Sequence, residues 1–370
     1  MDTRNLVGSE QNQYTKRLKG IRQGHFALEN NPKVAIIVLH YGNPDDTLEC
    51  LRSIIELQYE NVFLVVLDNG TEPKYSILAY KNTINDLTQA KNWKFEDLSA
   101  SLTGLSIKGE PRTFYLLRTE KNLLWAGGNN YCIKLIMPTN PDWIWLLNND
   151  TAFSPETLTR LLETARSRAL SMMSPYLYDY SNHQKLQFPG GVFFAPWFPA
   201  NSFLVRIDRI LARKKANYLS GAALLVKAEV FSKVGFFDEN LFYWEETDLC
   251  IRARKHGLRI GTCKEAIVFH KMSAATDLTF SDDRKEQNYA KGLFVNFLRH
   301  KGPLFLYFLI LFLVFLPIEF LRLILAPILE LKKKVGFKKR LKLFQRFWEY
   351  RVIFSIRNYA ELRKIAKEPL

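Results

Sequence analysis

Two amides and a carboxylate, Asn148-Asn149-Asp150, directly follow the apolar run Trp143-Ile144-Trp145-Leu146-Leu147. The run has the make-up of a buried strand, which puts the carboxylate at a strand's C-terminal edge. Downstream lies a second acidic cluster, Trp244-Glu245-Glu246-Thr247-Asp248. A lone carboxylate at a strand edge can hold a hard divalent cation, Mg2+ or Mn2+, which draws its other oxygen ligands from phosphate and water. Such a cation neutralises a departing diphosphate. A carboxylate beside an incoming hydroxyl can take its proton, and substitution at a sugar carbon then inverts the stereochemistry. Each cluster also has a plain reading. Asn-Asn-Asp is good turn chemistry, and acids at a helix start stabilise its dipole. The two clusters together point to transfer of a group from a nucleoside diphosphate.

Other polar residues fall at similar edges. Asp68-Asn69-Gly70 closes an apolar run, so Asp68 either accepts hydrogen bonds from a base or ribose, or makes a turn. His270 follows the short apolar run Ala266 to Phe269, as a metal ligand or as a structural histidine. Gly127-Gly128 would let backbone approach a phosphate at a helix start, but the spacing is neither a P-loop nor Gly-x-Gly-x-x-Gly. The aromatic run Phe193 to Phe198 reads as core, acceptor platform or membrane contact.

The elements that must position these groups can be read in part. Val34–Leu39 and Val62–Leu67 are continuous apolar runs, and Thr113–Leu117 is a further candidate strand. Asn43-Pro44-Asp45-Asp46 is a helix start, with Leu48, Leu51 and Ile55 at helical spacing. Helices are expected from Asn122 to about Met137, from Ser154, from Glu245 to Gly257 and from Asp283 to Arg299. Leu219–Val226 reads as a strand, and about 181–217 as a long loop region. Strands alternating with helices predict an α/β layered domain with a mainly parallel sheet. Ligands bind such sheets at the carboxyl ends of strands, where Tyr41, Asp68 and Asp150 would lie.

Of the net charge of +15, +11 falls between Arg299 and Leu370, so the basicity belongs to a tail. Within it, Leu304–Ile318 has no charge, and Leu323–Leu329 resumes the apolar pattern after Glu319 and Arg322. Pro317 and Pro327 disfavour one straight helix, and both flanks are basic. A segment lying in the interface or a shallow re-entrant hairpin is expected, with the basic residues on anionic headgroups. A single span and a soluble helix pair are the alternatives. The four cysteines show no close pairing and fit buried thiols in a reducing compartment. Residues 1–31 are polar and read as a loosely ordered extension.

Several blocks in order resemble family 2 glycosyltransferases with the GT-A fold, close to the bacterial rhamnosyltransferase-like branch. They are Val34–Asn43, Val65–Gly70, Asn122–Asn130, Leu147–Asp150, Ser220–Val226, Gly235–Glu239 and Glu245–Arg252, with His270 where the family has a late histidine. The resemblance covers about residues 33–300. It implies a nucleotide-sugar donor, a divalent cation and inversion. By position it makes Asp150 and His270 metal ligands and Glu246 the base. It places Tyr41, Asn43, Asp68, Asn122, Asn130 and Asn149 on the donor, and Trp244, Glu245 and Asp248 on the acceptor side. Departures are visible. Asn148 replaces the first acid of Asp-x-Asp, Glu246 replaces an aspartate, Lys291-Gly292 replaces Arg-Asn, and 91–115 looks inserted.

The expected organisation is a GT-A domain over 32–300, with a nucleotide-sugar half (32–150) and an acceptor half (151–300), then a membrane-associated tail over 301–370. The expected protein is a metal-dependent glycosyltransferase on the cytoplasmic face of the membrane. It would act on a lipid-linked or cell-surface glycan, with dTDP-rhamnose as one candidate donor. A nucleotidyltransferase would want a basic, Gly-rich loop near the first strand, and none is seen. A non-catalytic scaffold of a polysaccharide assembly complex would bind no metal. Nucleic acid is not an expected partner, because the basic residues flank a lipid-like run instead of a recognition motif.

Overall fold

In chain order the strands are β1 (Val34–His40), β2 (Val62–Asn69), β3 (Lys94–Asp97), β4 (Thr113–Thr119), β5 (Trp143–Asn148), β6 (Thr151–Phe153), β7 (Met172–Asp179), β8 (Leu186–Phe188), β9 (Ala223–Lys227) and β10 (Ile260–His270). They form one ten-stranded sheet in the order β3-β4-β2-β1-β5-β9-β7-β10-β6, with β8 paired to β7. The structure is a computed structural model, and it describes residues 31–100, 105–191, 216, 218–271, 281–300, 317, 349 and 353–368.

From β3 to β5 every pairing is parallel, and β7 and β10 are parallel too. Between these two blocks β9 runs antiparallel to both β5 and β7. The parallel register gathers strand ends at one edge, with Leu39 beside Asn148, His40 beside Asp68 and Asp68 beside Arg118. Because β9 is antiparallel, it begins at that same edge, with Ala223 opposite Leu147.

Helices cover the sheet: α1 (Pro44–Ile55), α2 (Lys81–Gln89), α3 (Leu124–Ile136), α4 (Thr157–Ser167), α5 (Ala228–Val234), α6 (Glu245–Lys255), α7 (Asp282–His300), α8 (Phe354–Arg357) and α9 (Tyr359–Lys367). Asn43 caps α1 by accepting from the Asp45 amide at 3.2 Å, and Pro44 needs no partner at the first position. Leu48, Leu51 and Ile55 are buried, each worth about 2 kcal/mol in removed apolar surface. From α3, Ile133 and Ile136 join Ile37, Val65 and Ile144 in the core.

The structure departs from the sequence reading at several strands, and β6 and β7 have no counterpart in it. The stretch taken as an insertion supplies β3, whose Phe95 meets Phe114 edge to face at 5.4 Å. The expected loop over 181–217 contains β8. The expected Ala266–Phe269 strand begins at Ile260, with a register shift between Cys263 and Ile267. β3 and β8 are too short to show a period, and Lys264-Glu265 in the irregularity hides the length of β10. All four cysteines are buried free thiols.

Among the described residues no helix is long and apolar enough to cross a membrane. The apolar run of the tail, apart from Pro317, lies outside the described residues, as do the N-terminal extension up to residue 30 and the aromatic run 193–198.

Candidate functional site

β5 ends at Asn148, and the chain turns through Asn149 and Asp150 into β6. The Thr151 hydroxyl donates to the Asn148 carbonyl at 2.8 Å and closes that turn. β6 pairs with the end of β10, Thr151 opposite His270. Strand pairing therefore sets His270 beside Asp150, with Nε2 at 3.2 Å from Oδ1 and both side chains largely buried.

Three further polar side chains orient this pair. Gln187 donates through Nε2 to the His270 carbonyl at 2.8 Å, which leaves its Oε1 facing His270 Nδ1 at 3.3 Å. That contact is favourable when Nδ1 carries the proton. The Trp125 indole, a donor only, bonds Asn148 Oδ1 at 3.1 Å, so Asn148 turns its Nδ2 amide toward His270 Nε2 at 3.4 Å. In the neutral ring Nε2 is then a lone pair facing a carboxylate. Two acceptors this close repel unless positive charge lies between them. Mg2+ at ~2.1 Å from each ligand sets neighbouring ligands about 3 Å apart, so the pair fits two positions on one such ion. Among the described residues there is no cluster of three His, Cys, Asp or Glu that could hold a metal ion.

Asn149 donates to Thr47 Oγ1 at 2.9 Å, and Thr47 Oγ1 lies 2.7 Å from Nδ1 of the buried His40. His40 Nε2 reaches the Tyr75 carbonyl at 2.9 Å. Burial lowers the His40 pKa and keeps the ring neutral, so the relay runs Asn149 to Thr47 to His40 to Tyr75. Asn149 thus braces the Asp150 turn against β1 and α1.

Most of the other expected donor residues are occupied within the protein. Asp68 is fully buried and accepts from the Thr71 amide at 3.1 Å, from Arg118 at 3.2 Å and from the Ser76 hydroxyl. Its side chain closes the turn at Thr71, and Arg118 is its part-exposed partner. Asn122 accepts from Leu124 N at 2.7 Å and from Asn69 at 3.2 Å, shaping the entry to α3. Asn130 exchanges hydrogen bonds with the Phe237 backbone, at 2.9 and 3.0 Å, and with Glu239 at 2.8 Å. Asn43 is spent on the α1 cap. Tyr41 is half-buried just past β1.

On the acceptor side, Tyr243 and Trp244 are both left-handed, at φ 78° and 74°. Bulky residues rarely adopt that region, so neighbours must impose it. Trp244 donates from its indole to the Tyr289 carbonyl at 3.1 Å and stacks edgewise on the Tyr289 ring. Gly292 makes room, since a Cβ there would lie 2.5 Å from the Tyr243 carbonyl oxygen. The glycine that departs from the family pattern is therefore what this turn requires.

The turn launches α6 at Glu245. Glu245 is buried, and its Oε2 finds no hydrogen-bond partner. Burial first, then the neighbouring Glu246 charge, raise its pKa well above the usual range. Burial also pushes the partly buried Glu246 up to about 7. Asp248 takes a part other than the expected acceptor contact. It accepts from Arg252 at 2.7 Å, Arg299 at 3.0 Å and His300 at 2.7 Å. The His300 hydrogen bond and the two arginine charges outweigh burial and bring its pKa down to about 2.

A short segment of chain links the start of α6 to the Asp150 turn. The Leu219 backbone bonds Cys250, one turn beyond Glu246, and the Ala222 carbonyl accepts from Asn148 N at 2.9 Å. The short segment from Leu219 to Ala222 thus joins the start of α6 to the Asp150 turn.

Comparison with known proteins matches this architecture. A solved mannosyltransferase, PcManGT from Pyrobaculum calidifontis in complex with GDP-Man and Mn2+, superposes at a TM-score of 0.54 with 13% identity, covering 96% of this chain and 91% of that one. The fold is GT-A. The low-salt glycan biosynthesis hexosyltransferase Agl10 of Haloferax volcanii is 24% identical over 155 residues, 40% of this chain and 48% of that protein. An N-acetylglucosaminyl-diphospho-decaprenol L-rhamnosyltransferase of Mycobacterium tuberculosis is 29% identical over 229 residues, 58% of this chain and 72% of that protein. The chain spans about half the length of the first curated relatives it matches. The family model described as "Glycosyltransferase like family 2" matches residues 32–289, and the chain belongs to that family.

Proposed function

We propose that this protein is an inverting, metal-dependent glycosyltransferase that moves a sugar from a nucleotide-sugar donor to a glycan or lipid-linked acceptor. The observation that carries the reading is the largely buried Asp150–His270 pair, held at 3.2 Å just past the C-terminal end of β5. Asp150 and His270 would hold Mg2+ or Mn2+, which offsets the charge of the departing diphosphate. Glu246 takes the acceptor hydroxyl's proton, and Glu245 stays protonated beside it. The strained Trp244 turn fixes where α6 begins and so where Glu246 points. The rhamnosyltransferase relative supports dTDP-rhamnose as a first candidate donor. A panel of nucleotide sugars with Mn2+ tests the reading by thermal shift. One donor at about 100 times its Kd should add roughly 2.7 kcal/mol of stability, while a scaffold would show no shift with any.

The tail favours attachment to the cytoplasmic membrane face without a single crossing. Arg299 ends α7 and bonds the carbonyls of Ile365 and Ala366 in α9, so the chain leaves and rejoins the domain at one place. Ends held together lie on one side of a bilayer. Replacing 301–352 by a short Gly-Ser linker should free the protein from vesicles containing anionic lipid. Co-sedimentation of the shortened chain would contradict the anchor.

A further inference from the structure

We infer that Gln187 is a positioning residue that keeps the Nε2 lone pair of His270 open for a divalent cation. The inference rests on the proposed metal role of Asp150 and His270. Gln187 lies in β8, where Leu186 pairs with Tyr178 and Phe188 with Leu177, so Gln187 is the extra residue of a bulge. Bulges re-aim a side chain, and this one sends the amide to the end of β10. There it grips His270 at two points, the main-chain carbonyl at 2.8 Å and Nδ1 at 3.3 Å.

The grip decides between two neutral forms of the ring. With the proton on Nε2, the imidazole would donate to Asp150 at 3.2 Å, and the lone pair on Nδ1 would face the Gln187 carbonyl oxygen. That form places two acceptors together and closes the coordinating nitrogen. With the proton on Nδ1, Gln187 accepts it and Nε2 stays open toward Asp150. The amide cannot flip, because its NH2 is committed to the His270 carbonyl. Asn148, oriented by Trp125, offers Nε2 an N–H and favours the same form. Partners of this kind set ligand orientation and basicity in metal sites.

The test uses the full chain, free of metal, with 15N-labelled histidine at pH 8.5, above the ordinary imidazole range. His270→Ala identifies the His270 signals. The wild type should show Nδ1 protonated and Nε2 bare. Gln187→Leu should move the ring toward the Nε2–H form and weaken Mn2+ binding in calorimetry by about 10- to 100-fold. Gln187→Glu keeps an acceptor for Nδ1–H and should restore Mn2+ affinity to within a few fold. An Nε2–H ring in the wild type, or Mn2+ affinity unchanged in Gln187→Leu but reduced in His270→Ala, overturns the role of Gln187 alone. Unchanged affinity in His270→Ala overturns the metal reading with it.

Discussion

Asp150→Asn is expected to leave the metal-free protein as stable as the wild type or more so, while removing the response to Mn2+ and nucleoside diphosphate. In the tautomer proposed above, a largely buried carboxylate faces the bare Nε2 of His270, 3.2 Å from Asp150 Oδ1. An asparagine of the same shape can donate its amide hydrogen to that nitrogen. The exchange replaces a repulsion by a hydrogen bond worth about 1 kcal/mol, or roughly 2–4 °C in melting temperature for a domain of this size. The turn itself does not depend on the carboxylate, because Lys271 N bonds the main-chain oxygen of residue 150 and Thr151 closes the bend. The loss falls on the cation, which keeps only a neutral nitrogen from the protein. A metal contributes several kcal/mol of charge stabilisation, so affinity for a nucleoside diphosphate with Mn2+ should fall at least about 100-fold. Calorimetry with and without Mn2+ separates the two effects. An unchanged Mn2+-dependent affinity would falsify the metal role of Asp150.

What the sequence revealed follows from how far apart the interacting groups lie along the chain. β1, β2 and β5 are legible because a strand covered on both faces must be apolar at every position. The start of α1 is legible because Asn43 and Pro44 act on their own neighbours. β3 and β8 are not, since three or four residues at a sheet margin are too few to show a period, and β3 is largely charged. The roles of the amides are the least legible of all. An asparagine that faces a ligand and one that clamps a backbone have the same letter, and Asn130 is spent on Phe237, 107 positions away. Asp248 reads as a helix-start acid, but its partners Arg299 and His300 arrive 51 and 52 residues later. Gln187 leaves no local trace, because its link to His270 exists only once β8, β7 and β10 are aligned. His270 falls where the family has a late histidine, but its place beside Asp150 exists only once β6 pairs with β10.

Glu246→Gln is expected to lower kcat by two to four orders of magnitude, the usual range for a missing general base, with donor affinity unchanged. The pH profile gives the sharper result. A base works when ionised, and burial raises Glu246 to about 7. Turnover should therefore rise through pH 7 to a plateau on the alkaline side and fall as acid protonates the group. The Gln variant should lose that inflection. Glu246→Asp, which restores the carboxylate at one methylene less, should keep it. Asp248 cannot produce an inflection near 7, because the His300 hydrogen bond and the two arginine charges bring it down to about 2. Glu245 is the competitor, since its pKa is raised as well. Two adjacent buried carboxyls titrate as a unit, and the second negative charge is the costly one. If Glu245 is the member that stays protonated, Glu245→Gln mimics its working state and the inflection near 7 survives. If the inflection vanishes with Glu245→Gln and survives Glu246→Gln, the base is Glu245, and the extra methylene at 246 has moved the chemistry back by one residue along α6.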